Sequence, residues 1–199
     1  MKKFFLASIV SLILITNAAS VSYNSDPKTF ITELVNDAVK TLNDNSLSKE
    51  KKNETIEKIA LVNVDIKALG LYTLGSKRKN LTPNELEKYN NLFRDYLLKS
   101  LTSRLTEYSS QKFLVTEAEQ KSATITIVKS KVKSNTSQPE LNIEWRVYTK
   151  DPLKPLIRDL IVEGLSLART QKEEFSSILN SNNNDINVLF EKLEEFVSK

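Results

Sequence analysis

"ELNIEWRVYTKDPLKPLIRDLIVEGLSLARTQKEEF" (residues 140–175) carries two strands and the start of a helix in one short stretch. In its first ten residues Leu141, Ile143, Trp145 and Val147 alternate with Asn142, Glu144, Arg146 and Tyr148. That is the period-two pattern of a strand with one apolar and one polar face. "KDPLK" reads as a turn and "PLIRDLIVEGLSL" as the next strand. Gly164 allows a tight exit from the sheet, and Ser166 or Thr170 helps to start the helix that follows. Upstream, "KFLVTEAE" (112–119) and "SATITIVKSKV" (122–132) are rich in β-branched residues, and "SNTSQP" (134–139) reads as a hairpin loop. Four strands on short connections predict an antiparallel sheet.

Helical signals flank this block. "DPKTFITELVNDAVKTLND" (26–44) begins with Asp26 as N-cap and Pro27 at the first helical position. Phe30, Leu34, Ala38 and Leu42 then repeat every four residues and define one buried face. A polar stretch rich in Asn, Ser and Lys follows. "NVDIKALGLYTLG" (63–75) reads as a short helix that Gly75 ends. "TPNE" (82–85) is a capping box with Pro at the first turn. Behind it Leu86, Tyr89, Phe93, Tyr96, Leu97, Leu101, Leu105 and Tyr108 form a long apolar and aromatic stripe at helical spacing. Tyr in such a stripe suits a partly wet wall, because it joins an apolar body to a polar tip. Two closing helices centre on Phe175, Ile178 and Leu179, and on Leu189, Leu193, Phe196 and Val197, with the polar loop "NSNNND" (180–185) between them. Helices, then four consecutive strands, then helices give an α+β order. The expected architecture is a four-stranded antiparallel curved sheet covered by helices, a cone whose apolar faces either close or leave a cavity.

Composition closes many routes to chemistry. With no Cys and no His, disulfides, Cys/His zinc sites, Cys nucleophiles and His-based triads are impossible. Three glycines, at 70, 75 and 164, are too scattered for a phosphate-cradling loop. No catalytic site, no metal site and no cofactor are therefore expected. Lys2 and Lys3, the apolar run 4–15 and the small residues after it read as a secretory signal peptide over residues 1–20. The run is short for a transmembrane anchor, the competing reading. Residues 21–199 then form a single domain, expected to be soluble. Loss of the two lysines takes the net charge from +4 to +2, which does not argue for nucleic acid. The basic clusters 76–79 and 129–133 read as solvated surface, or as steering towards an anionic membrane or an acidic partner.

Asp159 and Glu163 are the obvious acid/base candidates for an enzyme on a cone fold. In a strand, however, four residues at about 3.3 Å each separate them by roughly 13 Å. Two carboxylates cooperating on one bond need about 5 to 9.5 Å. A pure interaction module is the other rival reading.

Four blocks in order carry a family resemblance: "VDIKALGLYTLG" (64–75), "NLFRDYLLKSLTSRLTEYSSQ" (91–111), "IEWRVY" (143–148) and "DLIVEGLSLARTQKEEFSSIL" (159–179). Together they resemble the MlaC family, also called the toluene-tolerance auxiliary family, of periplasmic phospholipid carriers. The resemblance covers nearly the whole chain after the leader. It implies an NTF2-like cone with bound phospholipid as cargo. It also implies a shuttle between an outer-membrane lipoprotein–porin complex and an inner-membrane MCE-domain ABC transporter subunit. The expected cavity lining is Val64, Leu69 and Tyr72 from the short helix, and Phe93, Tyr96, Leu97 and Leu101 from the long one. The sheet is expected to add Ile125, Ile127, Ile143, Trp145 and Val147. A bulky polar residue at Leu97 or Val147 is then expected to reduce bound lipid without unfolding the protein.

Overall fold

The computed structural model describes residues 23–105, 112–133 and 140–199. The expected signal segment, the 134–139 loop and Tyr108 lie outside the described residues.

The chain opens with α1 (Pro27–Asn43), capped by the Asp26 carboxylate, which accepts from the Thr29 backbone N–H at 2.9 Å. Its buried face holds Phe30, Leu34 and Leu42 as the spacing predicts, and Ile31 and Val35 widen it. The polar stretch that follows corrects the sequence reading, because it folds as α2 (Lys49–Asn63) behind a Ser48 cap. Only Ile56, Ile59, Ala60 and Asn63 of this helix are buried. A short apolar patch among lysines and glutamates gives little periodic signal, so packing rather than pattern decides this helix.

α3 (Ile66–Leu74) is held at its start by Asp65. One Asp65 oxygen accepts from the Ala68 N–H at 3.2 Å, and the other pairs with Arg158 at 2.7 Å. Gly75 ends the helix with φ of 58°, a conformation that glycine adopts without strain. A 3-10 turn (Gly75–Asn80) leads to α4 (Pro83–Leu105), which opens with the expected capping box. Glu85 accepts from the Thr82 N–H at 2.7 Å, and the Thr82 hydroxyl accepts from the Glu85 N–H at 3.3 Å.

The sheet is antiparallel throughout, in the order β1 (Lys112–Ser122), β2 (Ile125–Lys133), β3 (Leu141–Tyr148), β4 (Leu156–Val162), β5 (Leu165–Ser166). It has five strands rather than four. The predicted last strand breaks at Glu163 and Gly164, both at positive φ, and doubles back as a two-residue β5 paired with β4. α5 (Leu167–Ser181) starts there, and α6 (Ile186–Ser198) closes the chain. α1 lies across β1 and β2, α3 and α5 pack against β4, and α4 packs against α3 and α6.

Apolar packing divides in two. One cluster joins α1 and α2 to the sheet through Phe30, Ile31, Ile56, Val128, Trp145 and Val147. The other joins α3 to α6 through Leu74, Tyr89, Phe93, Phe175, Leu189 and Leu193. A domain of this size ordinarily has one contiguous core.

Candidate functional site

The two clusters do not meet, and a cavity of about 700 Å³ runs between them. Leu34, Leu42, Ile56 and Ile59 line it from the first cluster, and Phe93, Phe175, Leu189 and Leu193 from the second. Close-packed interiors do not leave such holes. At about 24 cal/mol per Å³, a sealed void of that size would cost roughly 17 kcal/mol. That exceeds the roughly 5–15 kcal/mol by which a whole domain is stable. The cavity instead opens to solvent at a rim of half-exposed side chains. Phe196 (37% exposed) packs at a tilt against Tyr96 there, with ring centres 4.8 Å apart, and Leu167 (40% exposed) stands at the start of α5.

Local geometry explains how each element reaches the wall. The backbone at Val64 bridges to Ile157 of β4, and the Asp65 N–H donates to the Ile157 carbonyl at 2.9 Å, so α3 is pinned to the sheet. Gly70 lets α3 approach α4 closely: a Cβ there would stand 3.0 Å from Phe93 Cδ1. One turn further along the same face of α3, the Thr73 and Tyr89 hydroxyls share a buried hydrogen bond of 2.7 Å, and burial pushes the Tyr89 pKa up. On the sheet, the Trp145 indole N–H donates to the Ser130 hydroxyl at 2.8 Å, which orients the ring on the cavity wall.

Of the residues expected to line the cavity, Val64, Leu69, Phe93, Tyr96, Leu97, Leu101 and Trp145 stand on its wall. The other five do not. Tyr72 is 42% exposed and faces a separate surface groove beside α5, with the Lys172 ammonium 5.1 Å from its ring centre. Ile143 and Val147 share the inner face of the sheet with Trp145 but pack into the first cluster away from the hollow, Val147 with no exposed surface at all. Ile125 and Ile127 lie on the opposite face, paired with Tyr148 and Arg146. Their error is one of phase. The inner positions of β2 are Thr126, Val128, Ser130 and Val132, and the two buried hydroxyl residues break the apolar alternation. A one-residue shift of phase exchanges the faces.

The sequence missed Ile56 and Ile59 as lining because it missed α2. It saw Leu34, Phe175, Leu189 and Leu193 only as helix faces, since core and cavity wall share one apolar signal. The polar rim went unread as well: Ser100, Thr170, Gln171 and Glu174, with Lys192 and Glu195 from α6 and Lys199 just beyond it.

Asp159 and Glu163 both hold backbone. Asp159 is 4% exposed and accepts from the Ala168 N–H at 3.0 Å and the Ser166 hydroxyl at 2.6 Å, with Arg146 at 3.5 Å. It anchors the first turn of α5 to β4. Glu163 sits in the β4–β5 turn and accepts from the Asn142 backbone N–H and side-chain amide. Among the described residues no group of three or more acidic side chains is placed to hold a metal ion, and no helix is long and apolar enough to cross a membrane.

The class defined by this arrangement is an α+β fold whose helices and antiparallel sheet enclose an apolar cavity. The MlaC protein family profile matches residues 32–195, and the chain belongs to that family. Among solved structures it is similar to a phospholipid-binding protein from Ralstonia solanacearum, determined in complex with a phospholipid. The TM-score is 0.70 at 19% identity, over 84% of this chain and 94% of the other. A comparison with curated protein sequences finds no match.

Proposed function

We propose that the protein is a periplasmic phospholipid carrier that shuttles lipid between the outer and inner membranes as part of an Mla-type ABC transport system, and so maintains outer-membrane lipid asymmetry. The observation that carries this reading is the open apolar cavity between two half-cores. Family membership and the phospholipid bound to the Ralstonia protein support it. Each methylene exposed to water costs about 0.8 kcal/mol, so two acyl chains of roughly 30 methylenes would cost about 24 kcal/mol. A lipid does not cross an aqueous gap unaided against that cost. A carrier covers the tails and leaves the headgroup at the rim, and it forms and breaks no bond. The two carboxylates that acid/base chemistry would use are occupied with backbone, which favours a carrier over an enzyme.

In this reading residues 1–20 direct export, an outer-membrane lipoprotein–porin complex and an inner-membrane MCE-domain transporter subunit are the partners, and phospholipid is the cargo. The test is to purify residues 21–199, extract with organic solvent and analyse the extract by mass spectrometry. About one phospholipid per chain is expected, together with transfer of labelled lipid between vesicles. A protein that is lipid-free and inert in transfer overturns the proposal.

A further inference from the structure

The cavity mouth carries charges of both signs, and two of them are uncommitted. The charged residues on the cavity wall are Asp159, Glu174, Lys192, Glu195 and Lys199. Asp159 is buried and engaged with α5. Lys199 closes on Glu195 at 2.7 Å, and this bond holds the Glu195 carboxyl below its ordinary pKa. Glu174 on α5 and Lys192 on α6 remain.

Lys192 makes no ion pair within 4 Å among the described residues, although its field reaches Glu195. Glu174 likewise has no cation partner there. It is held in place by a relay from the cavity wall. The Tyr96 hydroxyl donates to Gln171 Oε1 at 2.7 Å, and Gln171 Nε2 donates to Glu174 Oε2 at 2.9 Å. Gln171 thus uses its amide to fix a carboxylate at the mouth, and the carboxylate keeps further acceptor capacity.

A phospholipid whose tails fill the cavity leaves its phosphodiester and headgroup at this rim. The phosphodiester is an anion that suits an uncommitted ammonium, which binds phosphate as a point charge. A primary ammonium beyond the phosphate is a donor that suits an uncommitted carboxylate. We infer that Lys192 and Glu174 form a split headgroup site that favours a zwitterionic phospholipid bearing a primary ammonium over one of net negative charge. This inference rests on the carrier reading and adds selectivity to it. An uncharged polyol headgroup gives Glu174 no cation, so its lipid meets the same carboxylate with one unbalanced negative charge.

The experiment loads residues 21–199 from vesicles containing equal amounts of phosphatidylethanolamine and phosphatidylglycerol with matched acyl chains. Native mass spectrometry then counts each lipid on the protein. The wild type is expected to prefer phosphatidylethanolamine about fivefold, the scale of one solvent-exposed charge pair. Glu174→Gln brings the ratio near one, Glu174→Lys reverses it, and Lys192→Gln lowers loading of both lipids. Equal loading by the wild type, or an unchanged ratio in Glu174→Gln at about one lipid per chain, overturns the headgroup site and leaves the carrier standing. Absence of lipid from every variant overturns the carrier itself.

Discussion

Leu97 and Val147 are both apolar and both sit in predicted positions, yet the structure gives them different work. Leu97 is half-buried and faces the hollow, whereas Val147 is sealed against Phe30, Trp145 and their neighbours. A polar side chain at Leu97 has space and solvent within reach. Leu97→Gln is therefore expected to lower bound lipid at least twofold with stability changed by less than about 1 kcal/mol, as for substitutions outside close-packed regions. At Val147 the same change puts an unpartnered amide into a dry core, a cost of about 1–3 kcal/mol before any steric strain. Val147→Gln is expected to shift the urea midpoint markedly, or to prevent folding. Lipid extraction and urea titration on both variants check the pair, and equal destabilisation by the two would contradict the assignment of the wall. The sequence could not separate these residues. Both lie at apolar positions of a correct helix or strand, and whether the far side of a side chain meets another side chain or a void depends on elements distant in the chain.

At the scale of elements, the helix starts were the most legible features. Asp26 with Pro27 and the Thr82–Glu85 box sit where local chemistry puts them, because a cap acts within one turn. α2 was illegible for the opposite reason. Its stability comes from four residues pressed onto α1 and α4, and its own pattern is weak. The last strand was half legible. Gly164 announced an exit from the sheet, but the hairpin at Glu163 and Gly164 also needed Asn142, twenty-one residues upstream, to hold it. The junction between β4 and α5 has its own prediction. Asp159→Ala leaves the Ala168 N–H, the Ser166 hydroxyl and Arg146 without their shared acceptor. Arg146 is 43% exposed and regains water, so the cost comes from the freed buried donors, about 1–3 kcal/mol. The expected result is a large drop in the denaturation midpoint with early hydrogen exchange at the start of α5. An effect below about 1 kcal/mol would show that the α5 start does not depend on this carboxylate.

For the whole molecule, the proposed carrier function makes stability depend on what fills the cavity. A ligand present at a thousand times its dissociation constant adds about 4 kcal/mol. For a domain of this length, that corresponds to a rise in Tm of roughly 8–16 °C. Extraction of lipid followed by refolding is expected to lower Tm by about this amount, and re-addition of phospholipid to restore it. The chain's single tryptophan stands on the cavity wall, so its emission is expected to shift to longer wavelength on emptying and to recover on loading. Identical melting and emission with and without lipid would mean that the hollow is not where cargo resides.

The two half-cores also bear on how the chain comes apart. With the hollow empty, the α1–α2–sheet half and the α3–α6 half are joined by α2 against α4 and by α3 and α5 against β4. In the proposed carrier, acyl chains lying between them would supply contacts that neither half can make with the other. The loaded molecule is then expected to unfold as one cooperative unit, and the empty one to open along the seam at lower cost. Proteases sample such openings, so under the proposed carrier function the unloaded form is expected to be the shorter-lived one, and the lifetime of the protein to record how often it finds a lipid.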